Sequence, residues 1–294
     1  MSLETSGGLH PALRLGAALP SVECSTEHSY LYVSMSDLIM EHIFYHPGFE
    51  SVSQNLKDVE LASIHAILGE VSTEDHFVST LTQTILQAVK PEHKVVRLSL
   101  SNADSYAFSS LLGGSVETSE VNPALGLRGV SRYASESFGS AFTLECKVVK
   151  ALQGQGVDVQ VVVPFVRTLS DAAKVIDLLA EQGLPRGLNG FKVLYTVDVP
   201  SSALLAEKLL HYFDGIVINL ENLAQFTLGI DRFNEKLEYL YDPENETVLE
   251  LITMSFKAAL AVNKPAILTS SNLSHYPKIQ EYLVENSLEA VVTV

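Results

Sequence analysis

The chain has 294 residues, enough to bury the core of one large α/β barrel or of two ordinary domains. With 19 basic against 35 acidic residues, its net charge of −16 argues against nucleic acid and anionic membranes as main partners. Any phosphate or carboxylate site must then be a local basic pocket in a repelling field. Cys24 and Cys146 are too few and too far apart for a disulfide framework or a zinc site, and no leader peptide or bilayer-spanning apolar run is read. These features lead to the expectation of a reduced, cytoplasmic protein with no membrane partner.

Residues 1–28 show no clear period and are read as a lead-in, with residues 29–294 forming the domain. Tyr30–Val33 reads as a strand, followed by helical spacing through Asp37, Leu38, Ile39, Met40, Ile43 and Phe44 before Pro47. Ser72 can cap a helix with Asp75 at its third position and an apolar stripe of Phe77, Leu81, Ile85 and Val89. Lys94–Ser99 is the next strand. Asn122–Tyr133 is assigned another, followed by a helix through Phe142, Leu144 and Val148.

Val157–Pro164 is a continuous apolar run of the kind buried on both faces. Further strands are expected at Phe191–Val197, Asp214–Ile218, Ala266–Leu268 and Ala290–Val292. The helices between them start near Thr168, Ser202, Thr247 and Ile279, the first stopping at Gly183. Eight strands alternating with helices predict an α/β fold, a (β/α)8 TIM barrel in preference to an open doubly wound sheet. No eighth helix follows the last strand. The uncovered stripe this implies predicts a homodimer or a partner protein on that side, or cover by the lead-in.

The segment Asn122-Pro123-Ala124-Leu125-Gly126-Leu127-Arg128-Gly129 places an arginine fork between two glycines, suited to a phosphate or carboxylate. Alone it reads as a surface loop. It closely resembles the third-strand motif of the phosphoenolpyruvate (PEP)/pyruvate-binding barrel of the PEP synthase and pyruvate phosphate dikinase family. The resemblance runs from about Tyr30 to the end and is carried by Pro164-Phe165-Val166-Arg167-Thr168, Pro200–Glu207, Phe213-Asp214-Gly215, Gln225, Leu228-Gly229 and Asp231-Arg232.

The resemblance implies basic residues for PEP, two acids for magnesium and a cysteine that exchanges a proton with the methyl carbon. On it, Arg97 and Arg128 match anion-binding arginines. The family's first-strand arginine falls on Ser34 and its neighbouring glutamate on Ser36. The magnesium glutamate falls on Asp198, the metal aspartate on Asn222 with Glu221 beside it, and the acid/base cysteine on Thr269.

Arg97 and Arg128 are read as an anion site for PEP or pyruvate. Asp198, Glu221 and Asn222 are read as a magnesium site weakened or lost, with Asp198 equally suited to a turn and Glu221 facing solvent. His46, His211 and His275 read as surface or packing residues, and Asp171 and Asp214 as cap and turn residues. The conjunction of changes points to a pseudoenzyme acting as a binding, regulatory or scaffold subunit. The alternative is a partner-dependent phosphotransferase, or a repurposed barrel enzyme using Asp198 and Glu221.

Overall fold

Eight strands form among the described residues, most of them short runs rich in β-branched residues and buried on both faces. They are β1 (Arg14–Leu19), β2 (Tyr30–Ser34), β3 (Val95–Ser99), β4 (Val159–Val163), β5 (Val193–Val197), β6 (Ile216–Asn219), β7 (Ala266–Ser270) and β8 (Glu289–Val292). The computed structural model describes residues 8–20 and 29–294. All eight strands pair in parallel, in chain order, and close into a barrel. Closure is made by β1 against β8, with Arg14 opposite Glu289 and Gly16 opposite Val291.

Two strand assignments change. The segment read as a lead-in supplies β1. Asn122–Tyr133 is not a strand: it forms a 3-10 turn at Pro123–Leu125 and a short helix at Val130–Tyr133 in the excursion between β3 and β4. β1 escapes notice because Arg-Leu-Gly-Ala-Ala-Leu has no β-branched residue. Its small residues have a purpose, since a Cβ on Gly16 would lie 2.3 Å from the Tyr30 ring inside the barrel. The apolar stripe expected to lie open on the last strand is covered. On its outer face Ala290 is fully buried and Val292 half-buried against the core, so that strand supplies no argument for association.

Among the described residues, seven helices of nine residues or more flank the barrel. They are α1 (Asp58–Leu68), α2 (Thr73–Ala88), α3 (Gly139–Gly154), α4 (Leu169–Glu181), α5 (Leu220–Leu228), α6 (Glu246–Ala261) and α7 (Pro277–Glu285). The Ser72 hydroxyl accepts from the Asp75 amide at 3.0 Å, and Phe77, Leu81 and Ile85 of α2 are fully buried where α2 packs on α3. Thr168 caps α4 in the same way through the Asp171 amide, and Gly183 follows its end at φ +79°. Asp214 pairs with Arg186 at 2.7 Å and accepts from the Val193 amide. No helix among the described residues is long and apolar enough to cross a membrane.

The long excursions after β2 and β3 are pinned together by a buried cluster. His46 Nε2 donates to Glu117 Oε1 at 2.8 Å, while its Nδ1 accepts from the Gly48 amide at 3.0 Å. Arg132 pairs with both Glu117 oxygens and stacks on Phe138, 3.7 Å from the ring centroid. Removing Glu117 or Arg132 costs roughly 3–5 kcal/mol, because the other charge is left buried and uncompensated. His46 is thus a packing residue.

Candidate functional site

The barrel delivers its site at the C-terminal ends of the strands, and Asp198, just past β5, lies at the centre of it. Its side chain is fully buried and meets donors on both oxygens. Asn222 Nδ2 donates to Oδ1 at 2.7 Å, Asn102 Nδ2 reaches the same oxygen at 3.4 Å, and the Phe165 amide donates to Oδ2 at 2.9 Å. Burial still raises the Asp198 carboxyl above the usual carboxylate range, against the pull of these bonds and of Arg128 nearby.

Phe165 is held at φ 54°, a costly conformation for a bulky residue. There its amide reaches Asp198 and its ring sits between two guanidinium groups, Arg128 at 4.1 Å and Arg167 at 4.8 Å. The close approach depends on Gly129, where a Cβ would lie 2.5 Å from both Phe165 Cβ and the Pro164 carbonyl. Arg128 donates from Nε and Nη2 to the Asn102 carbonyl, from Nη2 to Asn102 Oδ1, and from Nη1 to the Ala124 carbonyl. Arg167 ties the same loop through the Arg128 and Gly126 carbonyls. These arginines hold the loop in shape.

Two joined chambers open above this floor. The inner one, about 220 Å³, is lined by hydroxyl groups including Ser34, Ser99, Thr269, Ser271 and Thr293. The outer one, about 670 Å³, lies between the exposed rings of Tyr106 and Phe233. Arg128, Asn222 and Arg232 line both. Asp198 lines neither, because Asn102 and Asn222 stand in front of it. Arg232 is half-buried, its guanidinium 4.8 Å from the Phe233 ring, and its buried Nε has no hydrogen-bond partner among the described residues.

The expected site residues therefore divide. Ser34, Arg128, Glu221, Asn222 and Thr269 line the cleft, with Asp198 beneath it. Arg97 does not. Its guanidinium lies 4.2 Å from the Tyr30 ring, donates to Gln160 at 3.4 Å and stands 3.9 Å from Glu289, so it points toward the N-terminal ends of β2 and β8. Glu221, expected to face solvent, is buried, and its Oε1 accepts from the Ser270 hydroxyl at 2.6 Å and the Ser271 amide at 3.0 Å, fixing the loop after β7. Ser36 receives the Asn102 and Ala103 amides on its hydroxyl oxygen. Thr269 donates to the Ile218 carbonyl at 3.3 Å, a packing bond.

The magnesium site implied by the sequence resemblance does not fit this donor set. Asp198 spends both oxygens on protein donors, Asn222 presents an amide where a second carboxylate would be needed, and Glu221 is turned to the β7 loop. Among the described residues no three histidines, cysteines or acids gather as a metal cluster.

Sequence reasoning passed over Asn102, Phe165, Arg167 and Arg232 as functional residues. The last three stand inside the quoted motifs, so position in a motif was the available signal. For Asn102 there was none, since its role comes from hydrogen bonds to Ser36 past β2 and Asp198 past β5.

The closed parallel barrel, with its cleft at the C-terminal face, defines a (β/α)8 barrel. Residues 56–292 match the family described as PEP-utilising enzyme, PEP-binding domain, and the chain belongs to that family. Its curated relatives include phosphoenolpyruvate synthases. That of Pseudomonas aeruginosa is 40% identical over 211 residues, 71% of this chain and 26% of the relative. That of Escherichia coli is 37% identical over 229 residues, 76% of this chain and 29% of the relative. The match to the Neisseria meningitidis enzyme, at 36% over 231 residues, likewise covers 76% of this chain and 29% of the relative. The chain thus spans less than a third of the length of these relatives.

Proposed function

We propose that this chain is a PEP-binding-type barrel that binds small organic acids without turning them over, a pseudoenzyme serving as a binding, regulatory or scaffold subunit. The observation that carries the reading is the Asn222–Asp198 hydrogen bond at 2.7 Å. It satisfies with an amide hydrogen bond the carboxylate oxygen that a divalent cation would otherwise have to take. Thr269 supports the same reading, because its hydroxyl donates to a strand carbonyl and no histidine or acid among the described residues hydrogen-bonds to it. The cleft itself supports binding: it combines a hydroxyl-lined floor, an arginine without an acidic partner and aromatic walls.

The test is deuterium exchange into the methyl group of pyruvate, followed by proton NMR with magnesium present. The protein is expected to leave the exchange at the buffer rate. Exchange well above that rate would sink the reading and favour the rival, a phosphotransferase of the PEP synthase type.

A further inference from the structure

We infer that the cleft takes a small hydroxy monocarboxylate bound without a divalent cation, its hydroxyl donating to Asn222 Oδ1 and its carboxylate held by Arg232. This rests on the binding reading above and names its ligand class.

The argument begins with the orientation of one amide. Asn222 Nδ2 is committed to Asp198, whose other oxygen is taken by the Phe165 amide. The Asn222 carbonyl oxygen is therefore the end of the amide left for the cleft it lines, and no group among the described residues donates to it. A cation at this place would attract keto and carboxylate oxygens. A carbonyl oxygen repels those and accepts O–H, so the exchange of metal for amide inverts the preference of the site. The hydroxyls of Ser34 and Thr293 around it can donate or accept, and those of Ser99 and Thr269, which donate to main-chain carbonyls, can still accept, which suits a hydroxylated ligand.

Charge sets the rest. The Arg128 guanidinium is spent on the Asn102 and Ala124 carbonyls. Arg232 has no acidic side chain within ion-pair distance among the described residues; its guanidinium shares a hydrogen bond with the Tyr241 hydroxyl, while its buried Nε is unpartnered. Against this fork stand Asp104 and Asp231 around the outer chamber. One fork with its Nε unspent, facing these two acids, fits one carboxylate and disfavours a dianion such as a phosphorylated acid. An ammonium group in place of the hydroxyl would want an unspent carboxylate in the inner chamber. Glu221 Oε1 is already held by Ser270 and Ser271, and burial raises the Asp37 carboxyl toward its neutral form.

The experiment is calorimetry on the full chain in EDTA with glycerate and lactate (each enantiomer), pyruvate and alanine, repeated with magnesium. We expect one hydroxy acid to bind at least about tenfold tighter than pyruvate or alanine, with no gain from magnesium, since an unpaired polar group at a hydrogen-bonding site is penalised by this order or more. Asn222→Leu should bring the hydroxy acid down to the affinity of pyruvate; if that variant does not fold, the wild-type ranking decides alone. Pyruvate or alanine binding as tightly as the hydroxy acids overturns the inference and leaves non-catalytic binding standing. Magnesium-dependent binding, or no binding of any of these acids, overturns both.

Discussion

Arg97 and Arg232 are two cations that the fold sends in opposite directions. Arg97 leaves the middle of β3 toward Tyr30 and Glu289, at the first residues of β2 and β8, and lies outside both chambers. Arg232 leaves the loop after α5 and lines both. If placement decides function, Arg97→Met leaves organic-acid affinity within about twofold, while Arg232→Gln lowers it tenfold or more, as loss of a charge-assisted hydrogen bond should. Calorimetry with the tightest-binding acid checks both, and a large loss in Arg97→Met would return that residue to the anion site. A motif match alone could not separate them. Either direction along a strand is open to so long a side chain, and the choice is made by the Tyr30 ring and Gln160, which belong to other strands.

At the scale of elements, the site depends on the loop after β3 pressing against the end of β4. Gly129 makes the contact: its φ is +55°, and an added Cβ would meet Phe165 Cβ and the Pro164 carbonyl at 2.5 Å. Phe165 already sits at positive φ and cannot yield without moving its amide off Asp198. Gly129→Ala is therefore expected to cost at least about 2 kcal/mol in urea denaturation and to weaken acid binding as well. A variant with unchanged stability and affinity would show that the loop has slack.

This contact also marks where the sequence is legible. Strands such as Val159–Val163 announce themselves because burial on both faces demands unbroken β-branched residues. α2 and α4 announce themselves by cap and stripe. β1 does not, because its residues are small to admit a ring from the next strand, and Asn122–Tyr133 misleads because a glycine-arginine motif specifies a close approach and carries no period. The site residues that were missed gain their roles from neighbours distant in sequence, Asn102 from Asp198 and Arg128, and Phe165 from two arginines.

At the scale of the whole molecule, buried titratable groups couple stability to pH with opposing signs. His46 is neutral and lowered by burial, so the unfolded chain takes up the proton first and the contribution of His46 is lost as pH falls below 6.5. Glu117 is lowered by His46 and Arg132, burial opposing them, and its contribution disappears at still lower pH. Glu145 runs the other way. It is buried on α3, receives the Ser101 amide and hydroxyl at 2.8 and 2.5 Å, and faces Arg132, Tyr133 and Cys146. Burial pushes its carboxyl from 4.5 up to about 7. The folded state therefore holds a proton that the unfolded chain releases between those values, and stability from this group falls as pH rises through that window. At 1.36 kcal/mol per pKa unit, the burden on the native state above pH 7 is roughly 3 kcal/mol. Glu145→Gln keeps a carbonyl for the Ser101 amide and removes the charge. The difference in Tm between variant and wild type should accordingly shift in favour of the variant from pH 5 to pH 8, by roughly 6 °C at a few degrees per kcal/mol. Thermal unfolding of both proteins across that range reads the shift directly. A difference that does not move with pH would mean that Glu145 titrates in the folded protein as it does in the unfolded chain.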